Sequence, residues 1–260
     1  MSADTAPTPG RTLSRGVLLR VFLRSLALQA SWNPKGMQNL GLAYSLFPAL
    51  EQLYPGKKEQ EAAVQRHLVF FNTHPYVAAA IVGGVLNHEQ RIARGEETPD
   101  KVVAFKAALM GPLAALGDGF FWLSLKPAVG AVCAALVPLL HAWAALLFLL
   151  LYNMVHLTLR ARFYWLGLEL GDRLVEAVAR ANLPTRGARL RSIAAACAGG
   201  TAAWLSVDLG KTAGGDHAPF LVAGCLAVGV VSYVLVQQRV PNYIVLYLAA
   251  GLACAAGAFL

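Results

Sequence analysis

Short polar motifs interrupt the apolar stretches of this sequence, and the first of them is Asn72-Thr73-His74-Pro75. Asparagine and threonine side chains both donate and accept hydrogen bonds, and Pro75 disfavours helical backbone at His74. Because the motif stands directly before a short apolar stretch, Asn72 and Thr73 could offer polar groups to a molecule that enters the membrane. The alternative is a helix boundary at which Thr73 is the N-cap and Pro75 lies in the first turn.

The second motif contains a lone carboxylate, Asp118, within a long and almost uncharged stretch. An ionisable group at membrane depth indicates a functional site and needs a partner, for which Lys106 and Lys126 are the cationic candidates. Two structural alternatives remain open. Asp118 pairs with a lysine and has no further role, or it caps the helix that begins at Gly119.

Glycine and proline interrupt the same stretch at Gly111-Pro112 and at Gly117. Such interruptions free backbone carbonyl and amide groups inside an apolar segment, and transporters build binding sites near the bilayer midplane in this way. We therefore predict structural kinks at Gly111, Pro112 and Gly117.

The third motif is Asn153 with His156, at the end of another apolar stretch and shortly before Arg160. An asparagine at the lipid boundary commonly forms a hydrogen bond between helices. We predict that Asn153 lies in an interface.

No motif of a self-contained catalytic centre is present in the sequence. The segment from Asn87 to Arg91 lacks the second histidine of the HExxH zinc motif. The four cysteines lie within apolar runs and show no CxxC spacing, which is typical of small buried residues and not of a metal site or a disulfide. We expect no catalytic residue, no metal and no cofactor.

The composition indicates that lipid is the solvent for part of the chain. Charged residues make up 14% of the 260 residues and apolar residues 57%, whereas a soluble domain usually carries about 25% charged residues. The formal net charge of +8 does not indicate nucleic acid, because the basic residues form blocks beside apolar stretches and not a stripe with interleaved aromatic residues. Positive loops beside apolar spans follow the positive-inside rule.

Several apolar stretches approach the length that a helix needs to cross a bilayer core of about 30 Å. Those without any charged side chain are Pro127–Val155, Ser192–Val207, Ala218–Val236 and Tyr243–Leu260. Pro127–Val155 is longer than one crossing needs, and it forms either one tilted, kinked helix or two half-helices. Tyr76–Leu86 is too short to cross, so we predict a re-entrant arm that is buried in protein or lines a cavity, followed by a charged loop, Asn87–Lys101.

Leu13–Ala30 reads as a helix in which Arg15, Arg20 and Arg24 interrupt the apolar residues. These arginines exclude a secretory signal peptide. The pattern favours an amphipathic helix in the headgroup plane of the membrane, and the alternative is a helix packed on the protein's own surface.

Together, these elements predict an all-α polytopic membrane protein with an N-terminal amphipathic helix, re-entrant or broken helices, and transmembrane helices. The predicted regions are a disordered leader (1–11), a cytoplasmic or interfacial helical region (12–75), a membrane core (76–155), a cytoplasmic amphipathic stretch (156–191) and C-terminal transmembrane helices (192–260). The connector Gln237–Pro241 contains Arg239 and should lie inside. This arrangement places the N-terminus in the cytoplasm.

Several short motifs occur in the same order and spacing as in one protein family. They are Ala30-Ser31-Trp32-Asn33, Met37-Gln38-Asn39-Leu40-Gly41, Leu53-Tyr54-Pro55, Arg66-His67-Leu68, Phe70-Phe71-Asn72-Thr73, and Leu109-Met110-Gly111-Pro112 with Gly117-Asp118 and Phe121-Trp122. This pattern resembles the IID component of the mannose/fructose/sorbose phosphotransferase system.

The resemblance implies a bacterial inner-membrane complex in which IIC and IID subunits carry a hexose-type sugar. The IIA and IIB subunits of that family pass a phosphoryl group to the sugar, so no histidine of this chain is expected to carry one. Substrate-binding or interface roles are implied for Asn72, Thr73, Asp118 and Lys126. Interface roles follow for Trp32 and Asn33 as well, and the partners include membrane lipid but no nucleic acid.

Two positions depart from what is common in that family. His74 stands where glutamine is usual, and Lys126 stands before Pro127 where arginine is usual. Arginine and lysine are not equivalent at a bidentate contact. The departures motivate an alternative function, a non-transporting membrane scaffold or regulatory sensor derived from the same fold.

Overall fold

Helices form nearly all of the regular structure in this computed structural model, which describes residues 12–212 and 218–257. The α-helices in these ranges are α1 (Arg15–Ser25), α2 (Asn39–Leu53), α3 (Lys57–Gln65), α4 (Ala78–Ala93), α5 (Pro99–Gly117), α6 (Lys126–Ala135), α7 (Val137–Leu140), α8 (Trp143–Leu170), α9 (Leu174–Arg180), α10 (Leu183–Thr212), α11 (Ala218–Gln237) and α12 (Asn242–Gly257). A π-helix, Asp118–Leu125, joins α5 to α6, and a short 3-10 helix, Gly171–Arg173, joins α8 to α9. The prediction of an all-α fold is confirmed.

Contacts between the helices divide the chain into two units. The first consists of Met1–Val129 and Ala145–Arg191, and the second of Gly130–Ala144 and Ser192–Leu260. The motifs around Asn72, Asp118 and Asn153 all belong to the first unit. In the second unit, α11 and α12 pack on each other.

Two helical segments of the described residues are long and apolar enough to cross a membrane, Pro99–Ala135 and Trp143–Asp208. Shorter apolar helices are found at Leu226–Gln237 and Tyr243–Leu252. Large apolar side chains of α8 are exposed on the protein surface, among them Leu149, Leu150, Met154 and Leu157. Such a surface is expected where lipid covers the protein.

Several helices begin or end at other residues than the sequence predicts. Asn87–Ala93 is not a loop, because α4 continues to Ala93. Pro127–Val155 forms two halves, since the helix breaks near His141, whose φ is 48°. The α5 helix continues through Gly111 and Pro112, and the helix type changes only after Gly117. The predicted leader (1–11) and the last residues of the span that ends at Leu260 lie outside the described residues.

The N-terminal helix has two apolar faces. It ends at Ser25, before the predicted end at Ala30. Leu18 and Val21 are buried against the first unit, whereas Leu19 and Leu23 are each 53% exposed. The helix therefore packs on the protein's own core and leaves a second apolar face free.

The α4 helix is enclosed by protein along its first half, from Ala78 to Leu86. Its backbone touches that of α8. A Cβ atom at Gly83 would overlap the carbonyl oxygen of Tyr164, and one at Gly167 would overlap the carbonyl oxygen of Ala80. Glycine has no Cβ atom, which is what allows the two helices to approach so closely.

A buried carboxylate, that of Glu89 on α4, joins segments that lie far apart in the sequence. Arg66 donates to both of its oxygens, with Nε 2.7 Å from Oε1. The Tyr54 hydroxyl donates to Oε2 at 2.8 Å, and His67 Nε2 lies 2.9 Å from Oε1. A bidentate arginine with two further donors provides the hydrogen bonds that a carboxylate needs when it is removed from water.

Lys106 of α5 joins the same network through His67. Its Nζ lies 3.1 Å from His67 Nδ1 and 2.8 Å from the carbonyl oxygen of Arg66. An ammonium group can only donate, so His67 Nδ1 accepts and the ring hydrogen is on Nε2, directed at Glu89. Burial, together with the positive charges of Lys106 and Arg66, lowers the pKa of His67 to about 4, which keeps this histidine neutral at pH 7.

We expect Glu89→Gln to lower the free energy of unfolding by about 3–5 kcal/mol, because Arg66 and Lys106 would keep their buried charges without the carboxylate. Denaturant unfolding of the purified protein in detergent measures this change. Glu96→Gln is the matched control, since Glu96 pairs with Arg94 on the surface and such pairs contribute roughly 0–1 kcal/mol. Equal losses in the two variants would contradict the role assigned to Glu89.

We expect the protein to lose stability as the pH falls from about 6.5 towards 4. In this window His67 binds a proton in the unfolded chain but not in the folded one, because its pKa is lowered on folding. One such group contributes a slope of up to about 1.4 kcal/mol per pH unit. Unfolding measured at several pH values should show a smaller slope for His67→Gln, and an unchanged one for His141→Asn, a substitution of an exposed histidine. An unaltered slope in His67→Gln would refute the assignment.

Candidate functional site

The backbone of Thr73 is held by one buried side chain, that of Gln38. Gln38 Nε2 donates to the carbonyl oxygen of Thr73 at 2.7 Å, and the amide of Thr73 donates to Gln38 Oε1 at 3.1 Å. The amide of Gln38 also donates to the carbonyl oxygen of Phe71 at 2.8 Å. Thr73 is not an N-cap, because α4 begins at Ala78 after Val77. Its hydroxyl is buried and has no hydrogen-bond partner among the described residues.

His74 lies in a cluster of aromatic rings, two of which belong to side chains of the π-helix. Its ring is stacked on that of Phe121 with a centroid distance of 5.2 Å and an angle of 15°. The rings of Trp122 and Tyr76 lie at 4.8 Å and 5.1 Å. A Cβ atom at Gly117 would overlap the imidazole of His74. Gly117, which was predicted as a kink position, therefore leaves room for this ring to pack against the end of α5.

His74 is neutral, and one of its nitrogens is free to donate. Burial, together with the positive charge of Arg160 and the neighbouring His156, lowers the pKa of His74 to about 4. Its Nδ1 accepts from the amide of Tyr76 at 3.3 Å. The hydrogen of the neutral ring is therefore on Nε2, which is buried and has no partner among the described residues.

The α8 helix completes the cluster with Tyr152, His156 and Arg160. The ring of His156 lies 4.2 Å from that of Tyr76 and is stacked on that of Tyr152, at 5.6 Å and 9°. Arg160 donates through Nη2 to the carbonyl oxygen of Ser25. His156 Nδ1 and Arg160 Nε are both buried without a hydrogen-bond partner in the described part of the chain.

Four buried polar atoms, three in this cluster and one on Thr73 beside it in the sequence, are thus unpaired within the described residues. They are Thr73 Oγ1, His74 Nε2, His156 Nδ1 and Arg160 Nε. An unpaired buried polar group costs roughly 1–3 kcal/mol, and most such groups in proteins are paired. These four atoms make this part of the first unit the candidate for a binding site.

The π-helix that contributes Phe121 and Trp122 to this cluster also carries Asp118 and Ser124. Such helices are uncommon and are often found at functional sites. Ser124 Oγ donates to the carbonyl oxygen of Gly119 at 2.7 Å and accepts from Arg191 Nη1 at 2.7 Å. Asp118 is half-buried at the start of the π-helix.

The predicted lysine partners of Asp118 are not its partners within the described residues, where no salt bridge joins them. Lys106 belongs to the Glu89 network instead, because its ammonium group is bonded to His67 and to the backbone of Arg66. Lys126 is exposed at the end of the π-helix.

The remaining predicted residues lie at the surface or near it. Asn72 is half-buried, and Trp32 is 52% exposed. Asn33 Oδ1 accepts from the amide of Gly36 at 2.7 Å, and its side chain lines a cleft of about 390 Å³ with Leu40 and Phe70 among others. Asn153 donates to the carbonyl oxygen of Leu149 in its own helix at 2.7 Å, so its Nδ2 is already paired without a second helix.

A second polar cluster, which the sequence motifs do not predict, joins α4, the segment before α5 and the 3-10 helix. His88 Nδ1 lies 2.7 Å from Glu97 Oε2, and His88 Nε2 lies 3.4 Å from Asp172 Oδ1. These side chains could each provide one ligand to a metal ion. Arg91 already places a positive charge 3.4 Å from Glu97. The cluster is therefore better described as a group of ion pairs that joins these segments than as a metal site. No local motif could have revealed residues so far apart in sequence.

Comparison with protein families identifies a match over most of the chain. The family described as "PTS system mannose/fructose/sorbose family IID component" matches residues 12–212. The mannose-specific EIID component of Escherichia coli K12 is 41% identical over 162 residues, which are 62% of this chain and 57% of that protein. The sorbose-specific EIID component of Klebsiella pneumoniae is 38% identical over 164 residues, 63% of this chain and 58% of that one. The alignment therefore spans less than two thirds of the length of these curated relatives.

Solved structures with the same fold cover nearly the whole chain. One comes from a cryo-EM structure of the mannose transporter ManYZ in complex with microcin E492. It has a TM-score of 0.60 and 28% identity, and the match covers 95% of this chain and 98% of that one. A second structure, described as a membrane protein, has a TM-score of 0.69 and 28% identity over 94% and 97% of the two chains.

We expect Gly117→Ala to lower the free energy of unfolding by about 1–3 kcal/mol, because the added methyl group overlaps His74 and both groups lie on packed elements. Gly119→Ala is the matched control, since a Cβ atom there has open space around it and alanine favours helical backbone. Unfolding followed by tryptophan fluorescence measures both, because Trp122 contacts His74. Equal stability of the two variants would contradict the close contact between Gly117 and His74.

Proposed function

The chain belongs to the mannose/fructose/sorbose family of phosphotransferase-system IID components, and we propose that it acts as the IID subunit of a membrane permease for a hexose-type sugar. In this proposal it moves the sugar together with an IIC subunit. IIB, supplied with phosphoryl groups by IIA, phosphorylates the sugar. This chain contributes no catalytic residue and carries no phosphoryl group.

The observation that carries the proposal is the group of four unpaired polar atoms beside aromatic rings. Sugar hydroxyls both donate and accept hydrogen bonds, and the unpaired hydroxyl of Thr73 can do the same. His74 Nε2 and Arg160 Nε are donors. Binding sites for small molecules combine a few such polar groups with aromatic and apolar walls, and here Phe121 and Trp122 contribute the rings.

Asn72 and Asp118 extend this polar surface. The Asn72 amide precedes Thr73 and is half-buried, and Asp118 begins the π-helix that carries Phe121 and Trp122. An ionised carboxylate accepts hydrogen bonds from up to two hydroxyls at each oxygen. We propose that Asn72, Thr73 and Asp118 contact the sugar or the path it follows, with Lys126 at the exposed edge of the site.

Partner subunits are proposed from the exposed surfaces of the first unit. Asn33, Leu40 and Phe70 border one open cleft, and the side chain of Trp32, which precedes Asn33 in the sequence, is 52% exposed. Exposed aromatic side chains of this kind are enriched in interfaces between proteins. The similar chain from the ManYZ complex supports assembly with a second membrane subunit. Asn153 lies on the exposed side of α8 and would face that subunit or lipid.

The two departures from the family pattern give little support to a non-transporting scaffold. His74 has a place built for it, because Gly117 leaves room for its ring. Lys126 is exposed and forms no ion pair within the described residues, so the change from arginine removes no internal contact. The basic stretches before residue 75 and from Arg160 to Arg191 favour a cytoplasmic N-terminus.

We expect Thr73→Val to reduce sugar uptake roughly tenfold or more while leaving stability unchanged or higher, because it removes an unpaired hydroxyl and keeps the shape of the side chain. Uptake and phosphorylation of radiolabelled mannose, fructose and sorbose would be measured in cells that co-express the IIC, IIB and IIA subunits. Cells without this chain give the background.

Thr158→Val is the control for this experiment, because the Thr158 hydroxyl donates to Met154 within its own helix and is exposed. It should retain full uptake. Full uptake by Thr73→Val would remove the sugar-binding role of this cluster. Equal uptake with and without the chain would end the proposal as a whole.

A further inference from the structure

A groove of about 300 Å³ separates the second half of α8 from α9 and the start of α10. It lies entirely within the first unit, away from the aromatic cluster. Its edge carries three arginines, Arg162, Arg180 and Arg186, and its floor is apolar.

None of the three arginines forms an ion pair within the described part of the chain. No carboxylate lies within ion-pair distance of Arg162, Arg180 or Arg186, whereas Arg66 and Arg94 each pair with a glutamate. All three side chains are exposed. Like charges that converge on one groove repel each other unless an anion lies between them, so the groove is complementary to a negatively charged group.

The floor of the groove runs along one face of α8. Leu159, Phe163 and Leu166 line it, and their spacing of four and three residues places them in a row on the helix. This row leads towards the charge-free part of α8 that ends near Thr158. The α10 helix likewise carries no charged side chain from Ser192 to Val207. Arg162 and Arg186 therefore lie a few residues from the charge-free parts of α8 and α10, where a membrane-spanning helix would reach the lipid headgroups.

We propose that this groove binds an anionic phospholipid. Its phosphate pairs with Arg162, Arg180 and Arg186, since guanidinium groups form bidentate hydrogen bonds with phosphate. One acyl chain lies along Leu159, Phe163 and Leu166. Basic pockets between membrane helices bind anionic headgroups in this way. A free phosphate would leave the apolar row uncovered, so the shape and the charge together favour a lipid.

The test compares two lipids with the same acyl chains, phosphatidylglycerol and phosphatidylcholine. Native mass spectrometry of the full chain, purified in mild detergent, measures the binding of each. We expect phosphatidylglycerol to bind roughly tenfold to a hundredfold more tightly. The triple variant R162Q/R180Q/R186Q should bind both lipids equally within about twofold.

A matched control removes three basic charges elsewhere in the same unit. K57Q/K58Q/R173Q changes exposed residues outside the groove and should keep the preference for phosphatidylglycerol. L159A/L166A should weaken the binding of both lipids but keep the preference, because it shortens the apolar row. Thermal unfolding of each variant confirms that it is folded.

Several outcomes would overturn the proposal. They are equal binding of the two lipids to the unaltered protein, an equal loss of preference in the control, and full competition by glycerol phosphate, which would indicate a site for free anions. Loss of association with IIB in the triple variant, with the lipid preference intact, would assign the groove to a protein partner instead. Lipid binding is measured without sugar, so a negative result leaves the proposed transport function untouched.

Discussion

The fold of the first unit depends on one buried negative charge, that of Glu89. A carboxylate without water must receive hydrogen bonds from the protein, and the donors are Tyr54, Arg66 and His67. Arg66 and His67 directly precede the irregular segment that leads to Thr73, and Tyr54 ends α2. Holding this charge therefore fixes one end of the segment, and Gln38 fixes the other. A stretch without regular structure is thus held by buried hydrogen bonds at both of its ends.

The sequence predicted the helices better than the contacts between them. Runs such as Ala218–Val236 are local features, and α11 matches that run closely. The Glu89 network could not be predicted in the same way, because its members are spread from Tyr54 to Lys106 and each resembles an ordinary surface charge. One signal was present, however. Glu89 lies four residues after Val85 and seven after Val82, on the apolar face of a helical repeat, which marks it as a carboxylate in the core and not in a loop.

Part of the candidate site can be located from the sequence. Asp118 and Thr73 attract notice because each is polar beside apolar sequence, and their sequence neighbours Gly117 and His74 contact each other in the structure. The π-helix was not foreseeable, since its shift of hydrogen bonding depends on how Phe121 packs on His74 and on Ser124 bonding back to Gly119. His156 and Arg160 lie on α8, more than eighty residues after Thr73 in the sequence. Only the folded chain shows that each of them has a buried polar atom without a hydrogen-bond partner among the described residues.

The backbone contact of α4 with α8, at Gly83 and Gly167, limits how this protein can move. The two helices meet without side chains between them. Sliding of one helix along the other would therefore bring a carbonyl group against a Cα atom. Thr73 and His74 shortly precede α4, and His156 and Arg160 lie on α8, so the close contact of the two helices favours a fixed distance between these groups. In the proposed transport function, release of the sugar would therefore depend on movement of the protein surface that faces these groups, and not on separation of α4 from α8.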